Sequence, residues 1–178
     1  LKDLNFIDVQ FDMEFKRLEQ YTAGGYDEAE FLISTNPGLP MRPLGAVASG
    51  GELSRIMLAI KAVLADTDDI PTLIFDEIDT GISGRTAQKV SEKMAYIARN
   101  HQVICITHLP QIAAMADSHF EIAKATSEGS TATTIRQLGE QEMVEELARL
   151  LGGAKITEAV VDNAREMKEL ARQGKASS

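Results

Sequence analysis

Two acids, Asp76 and Glu77, follow directly on the apolar run Leu73-Ile74-Phe75. One carboxylate at the end of a strand can hold Mg²⁺ through water, and a second beside it can accept a proton from an attacking water. Two adjacent anions need a cation, which such a metal supplies. The plainer alternative is a solvated acidic loop, and on these residues alone both readings stay open. Val103 to Ile106 ends in the same way at Thr107-His108. A histidine there is either a reactive group or a polar side chain satisfied by a neighbouring loop. Upstream, Ser49-Gly50-Gly51-Glu52 opens a helix. Its S-x-x-E spacing is that of a capping box, in which each side chain bonds the other residue's backbone N–H. That explains the serine but not the glycines, each of which costs about 1 kcal/mol against alanine inside a helix. A helix start without Cβ atoms lets a phosphate approach the exposed N–H groups.

The elements that must carry these residues are readable from periodicity. Ile7, Val9, Phe11, Met13 and Phe15 alternate with polar residues, which predicts a half-buried strand. A polar loop with Gly24-Gly25 and a second strand from Glu30 to Thr35 make an antiparallel hairpin with a long connection. Asn36-Pro37-Gly38, Pro40 and Pro43 then break regular structure. Leu53, Ile56, Met57, Ile60, Val63 and Leu64 form one helix face, ended by Asp66-Thr67-Asp68-Asp69. Thr72 to Phe75 and Val103 to Ile106 read as buried parallel strands with a helix to about Arg99 between them. Pro110 suits the first turn of a short helix. Phe120 and Ile122 mark a further strand, so strand, helix, strand, helix, strand predicts a parallel α/β unit. Ser127-Glu128-Gly129-Ser130 turns the chain back into Thr131 to Leu138, and two helices finish it. In an open parallel sheet, ligands bind beyond the carboxyl ends of the strands, where Asp76, Glu77, Thr107 and His108 fall.

Composition narrows the class. The 178 residues suffice for one domain with a proper core, and 44% hydrophobic with 25% charged content is ordinary for a globular chain. A net charge of −9 speaks against a stand-alone nucleic-acid binder, whose footprint is basic. Cys105 is the only cysteine, which excludes an internal disulfide and points to a reducing compartment. It sits in an apolar strand and reads as a small buried hydrophobe. No apolar run reaches the ~20 residues of a membrane span. Paired histidines and cysteines are lacking, so zinc has no support. His101 and His119 read as structural, and Glu140, Glu142, Glu145 and Glu146 as a solvated helix face. The chain begins at Leu1 and is expected to be a piece of a longer protein.

The joint order is more specific than its parts. A Ser-Gly-Gly-Glu helix start, an apolar strand ending in two acids and a strand-ending histidine together resemble the ATP-binding-cassette superfamily. Ser49-Gly50-Gly51-Glu52 resembles its signature motif, Asp76-Glu77 its Walker B acids and His108 its switch histidine. Ile78-Asp79, in place of Pro-Thr, resembles the chromosome-maintenance branch. The longer strings Val47 to Arg55, Ile74 to Gly84, Thr107 to Gln111 and Glu145 to Gly153 resemble a family of bacterial DNA double-strand-break repair ATPases.

The resemblance implies the C-terminal lobe of a P-loop ATPase head, α/β in class, with a mainly parallel sheet flanked by helices and an N-terminal antiparallel hairpin. The half-head would span residues 1–172: hairpin and loop 1–46, signature motif and helix 47–66, α/β core 67–138 and C-terminal helices 139–172, with a polar, frayed tail at 173–178. Asp76 would hold Mg²⁺ through water, Glu77 would serve as the base, and His108 would contact the γ-phosphate of ATP. Ser49, Gly50, Gly51 and Glu52 would cap the nucleotide of an opposing head, and in this chain the glycines would stand open. Ser83 occupies the D-loop position where many cassette ATPases carry aspartate, which leaves that loop's coupling role open. The P-loop G-x-x-x-x-G-K-[ST] is absent from these residues; in the family it lies upstream, before a long coiled coil. ATP and Mg²⁺ are therefore expected only with the N-terminal half-head, and the fragment alone is expected to be inactive. Expected partners are that half-head, a second head in a homodimer, and DNA through the whole assembly, in a cytoplasmic, nucleoid-associated setting without membrane contact. The alternatives are a non-catalytic head or assembly module, and a transporter's nucleotide-binding subunit. The hairpin start, the missing Pro-Thr and Thr107-His108-Leu109-Pro110-Gln111 speak against the transporter.

Overall fold

The computed structural model describes residues 1–178 except 5, 7, 36, 37, 48, 68, 128, 129, 154, 177 and 178. The expectations resting on Ile7, Asn36-Pro37, Ala48, Asp68, Glu128-Gly129 and Ser177-Ser178 lie outside the described residues.

The chain opens with an antiparallel hairpin, β1 (Gln10–Thr22) and β2 (Gly25–Ser34), which carries a short third strand, β3 (Arg42–Pro43). The connection is two residues, not the long loop predicted from the polar stretch. That stretch pairs because Lys16 faces Glu28 and Arg17 faces Asp27 across the ladder. Arg17 lies 4.5 Å from the centroid of Tyr26, and Tyr21 stacks on Tyr26 at 4.2 Å. Near the turn, Thr22 Oγ1 accepts the Gly24 N–H and donates to the Gly25 carbonyl. Gly25, at φ +118°, takes a backbone conformation that side chains disfavour. The predicted half-burial also fails. Ile33 at the base is buried, but Phe15 is 65% exposed and Phe11, Met13 and Phe31 are exposed with it.

Next come α1 (Leu44–Val47) and α2 (Gly50–Leu64), then β4 (Thr72–Phe75), α3 (Gly84–Ile97), β5 (Gln102–Cys105) and α4 (Pro110–Met115). β4 and β5 pair in parallel, with Phe75 opposite Cys105 at their carboxyl ends. Only one face of this pair is buried. Leu73 and Phe75 pack inward while Ile74 is 66% exposed, so the expectation of strands covered on both faces is not met. The expected third parallel strand is also corrected. β6 (Phe120–Ser127) pairs antiparallel with β7 (Ser130–Gln137) in a separate hairpin, and β4–β5 is the only parallel pair among the described residues. The chain returns on itself within a few residues of Ser127, so the nearest free edge is its own continuation.

Helices α5 (Glu140–Gly152) and α6 (Glu158–Ala176) close the chain. The tail is helical as far as Ala176, beyond the predicted end. Lys175 explains the extension: it donates to the Met115 carbonyl and pairs with Asp117. Two cores result. Leu4, Phe6, Ile33, Ile56, Leu58, Phe75, Ile78, Val90 and Ile97 form the larger one, around α2, β4 and α3. Ala114, Leu147, Ala148 and Ala164 form the smaller one, where α4, α5 and α6 meet. α4 serves both, burying Ile112 in the first and Ala114 in the second. No helix among the described residues is long and apolar enough to cross a membrane.

Candidate functional site

The opening of α2 lies against the turn that follows β4. Burial of Ile56 and Leu58 fixes the rotation of α2, and its N-terminus then sits beside the carboxyl end of β4. Ser54 Oγ donates to the Asp76 carbonyl at 2.8 Å, joining the two elements at that point. The glycines are explained by this approach. A Cβ on Gly51 would lie 2.8 Å from the Glu77 carbonyl oxygen, 2.9 Å from Thr80 Cβ and 3.0 Å from the Thr80 carbonyl oxygen. A Cβ on Gly50 would lie 2.0 Å from Glu77 Oε2. Residues 77–80 of the same chain thus occupy the Cβ side of both glycines and bury Gly51, where an open approach was expected, while Gly50 stays exposed. Ser49 is the N-cap by position, at φ −60° and ψ 156°, but its side chain makes no capping hydrogen bond. The predicted capping box with Glu52 does not form.

The turn itself is under conformational load. Glu77 takes φ +56°, the only non-glycine residue in that region among those described. Such a conformation costs on the order of 1–3 kcal/mol and persists only where its surroundings enforce it. Several contacts do so. Asp76 Oδ1 accepts the Glu77 N–H at 2.9 Å, and the Glu77 carbonyl accepts the Thr80 N–H at 3.0 Å. Arg55, only 4% exposed, donates through Nη1 to the carbonyls of Ile78 at 3.2 Å and Thr80 at 2.9 Å. Its Nε has no hydrogen-bond partner, and burial holds its guanidinium below the ordinary range while Glu52 opposes that shift. Charged donors to buried carbonyls are among the stronger hydrogen bonds. Sequence reasoning placed Arg55 inside a motif string without giving it this role.

The second strand end joins the same corner through Asp79, which the motif reading used to mark a branch of the superfamily without giving it a role in the site. Asp79 is 5% exposed, and its Oδ2 accepts the Thr107 hydroxyl at 2.7 Å and the His108 backbone N–H at 2.9 Å. His108 Nδ1 lies 3.0 Å from the same oxygen, with the histidine side chain 74% exposed. A buried carboxylate is tolerated where donors converge on it in this way. Asp76, Glu77 and Ser49 are exposed. Ser83 lies farther along as the exposed N-cap of α3, with its carbonyl accepting the Thr86 N–H and no side-chain cap. The structure therefore brings Gly50, Gly51, Asp76 and Glu77 to one corner and ties in His108 through Asp79, with Ser83 outside it at the start of α3. Among the described residues no cluster of three or more His, Cys, Asp or Glu side chains forms a ready metal cage. A single carboxylate still suits Mg²⁺, which is held by one or two carboxylates together with phosphate oxygens and water.

The other candidate groups are structural. Burial, with Asp79 and Asp76 nearby, pushes the Cys105 thiol up to about 12, which removes it as a nucleophile at neutral pH. The His101 ring nitrogens lie 2.7 Å from the Ile70 carbonyl and 3.1 Å from the Ala65 carbonyl, tying the end of α2 to the start of β4. His119 bonds the Ala113 carbonyl at the end of α4.

The chain is thus a mixed α/β lobe in which the glycine start of α2 and the carboxyl ends of β4 and β5 meet at one corner. Three curated relatives narrow the class. The DNA repair protein RecN of Halalkalibacterium halodurans is 46% identical over 164 residues, covering 92% of this chain and 29% of that protein. RecN of Bacillus subtilis is 45% identical over 192 residues (99% and 33%), and that of Vibrio cholerae 44% over 168 residues (94% and 30%). The chain belongs to the RecN family and matches the C-terminal part of its members. It spans about a third of the length of these relatives. No family model matches it. Among solved structures, the SMC head bound to the C-winged helix domain of ScpA aligns with a TM-score of 0.49 at 22% identity, covering 80% of this chain and 41% of that one. The SMC head domain from Thermotoga maritima aligns at 0.40 and 22%, covering 77% and 44%. Likeness of that degree carries nothing about individual residues.

Proposed function

We propose that the protein carrying this chain is a DNA double-strand-break repair ATPase whose heads dimerise on ATP, and that this chain is the C-terminal half of the head. The observation that carries the reading is the contact of the glycine helix start with the Asp76-Glu77 turn, Gly50 lying against Glu77 Oε2. In this reading Asp76 holds Mg²⁺ through water, Glu77 accepts the proton of the attacking water, and His108 faces the γ-phosphate. Phosphoryl transfer needs positioning and charge stabilisation more than covalent chemistry, which suits groups fixed at strand ends. Ser49, Gly50, Gly51 and Glu52 then serve the nucleotide of an opposing head, with Ser83 at the D-loop position between the two sites. ATP binding also needs a P-loop, which these residues lack. The chain by itself is accordingly proposed to be inactive. The bare apolar faces at Phe15, Ile74 and Ile135 support an N-terminal half-head as the partner that covers them. DNA is met through the whole assembly, in the cytoplasm and without a membrane.

The test is Glu77→Gln in the full-length protein. ATP binding should persist while turnover falls about 10²- to 10⁴-fold, the usual worth of a positioned base, and head dimers should accumulate. Unchanged turnover removes Glu77 from the role. Ser49→Arg is expected to leave ATP binding to a single head intact and block dimerisation, and dimers that persist unaltered contradict the trans-acting motif.

A further inference from the structure

Two donors, the Thr107 hydroxyl and the His108 backbone N–H, converge on one buried oxygen, Asp79 Oδ2, and the His108 ring nitrogen Nδ1 lies 3.0 Å from the same atom. The backbone N–H of His108 fixes where the residue sits, and its Nδ1, 3.0 Å from that oxygen, fixes how the ring turns. Thr107 completes the clamp, since its Oγ1 donates to Asp79 and accepts the Leu109 N–H at 3.1 Å. An ionised carboxylate offers only acceptor sites, so the ring nitrogen facing it must carry hydrogen. We propose that Asp79 is a positioning residue for His108: it holds Nδ1–H inward, directs Nε2 outward from the corner, and supplies the counter-charge when that nitrogen meets an anionic oxygen. The inference rests on the ATPase reading for its catalytic consequence but not for its geometry.

The chemistry follows from the ring. With Nδ1–H facing Asp79, Nε2 is the nitrogen left to donate to a phosphate oxygen. Asp79 follows β4 and His108 follows β5, so the clamp also sets the spacing of the two strand ends that carry Glu77 and His108. Loss of the carboxylate leaves His108 in place in the chain and lets its ring rotate.

The experiment uses the full-length protein with ¹⁵N-labelled histidine rings, His108→Gln identifying the His108 resonances. In the wild type His108 Nδ1 should carry the proton, and in Asp79→Asn the proton should redistribute toward Nε2. A wild-type His108 protonated at Nε2 alone overturns the proposal without recourse to any variant. For turnover, Asp79→Asn is expected to lower kcat about 10- to 100-fold, the usual worth of a group that orients a functional histidine, with KM for ATP little changed. In a His108→Gln background the same substitution should add no further loss. An equal loss in both backgrounds shows that Asp79 acts through the fold instead, and overturns the proposal. If the wild type hydrolyses no ATP, the ATPase reading fails, while the ring resonances still decide the role of Asp79.

Discussion

Two helices of this chain begin with the same spacing and are finished in opposite ways. α5 starts at Gly139 with Glu142 three residues on, and α2 starts at Ser49 with Glu52 three residues on. At α5 the glutamate reaches back and accepts the Gly139 N–H at 2.7 Å, and it also pairs with Arg136. That start is satisfied locally. At α2 no side-chain cap forms, and what closes the start is chain from 26 to 29 positions away: the Glu77 carboxylate beside Gly50, and the Glu77 and Thr80 carbonyls over Gly51. A helix start that only ends a helix can complete itself. One built into a site gives up its own cap so that another segment can lie on it.

The comparison breaks most severely at Gly51. Gly51→Ala forces a Cβ against three backbone or near-backbone atoms that cannot swing away, so α2 and the turn must part. A loss of roughly 1–3 kcal/mol is expected, of the size seen for overpacking, measurable by urea unfolding. Gly50→Ala should differ in kind. Its new Cβ meets only the end of the flexible Glu77 side chain, so stability should change by no more than about 0.5 kcal/mol. The displaced carboxylate should nevertheless lower ATP turnover in the full-length protein. Equal stability losses at the two glycines contradict the packing described.

The glutamates give the smallest effect and the sharpest control. Glu142→Gln should lower the melting temperature slightly by weakening a cap, whereas Glu52→Gln breaks no capping bond and acts only through the charge it presents to Arg55. The Gly139 N–H, and then Arg136, hold the Glu142 carboxyl below its ordinary value of 4.5. A depressed carboxylate contributes stability that is present above pH 4.5 and is lost as pH falls through the folded-state value. The difference between wild type and Glu142→Gln should therefore be seen at pH 6 and shrink toward pH 3.

Much of the corner was legible because its signals are local. The helix face of α2, the apolar runs of β4 and β5 and the groups at their carboxyl ends each lie within a few consecutive residues. The roles of Arg55 and Asp79 were not legible, because their partners lie 23 to 29 positions away. No periodicity records that an arginine will turn inward to hold two carbonyls. The outward faces of the strands misled for a different reason. Ile74 and Ile104 are apolar, which sequence reads as buried, yet each is exposed here. Apolar residues report that something covers them and not which part of the protein does so. The shortness of the β1–β2 connection was missed because cross-strand charge pairs such as Lys16 with Glu28 let a polar stretch remain strand.

We propose that this chain holds a pre-assembled half of an ATPase site, to which the N-terminal remainder of the protein brings the P-loop. The direct measurement is ATP turnover by this chain, by the N-terminal remainder of the protein, and by the two mixed. Turnover is predicted only for the mixture, and it should be abolished when this chain carries Glu77→Gln. Hydrolysis by this chain alone, or a mixture indifferent to Glu77→Gln, would contradict the claim.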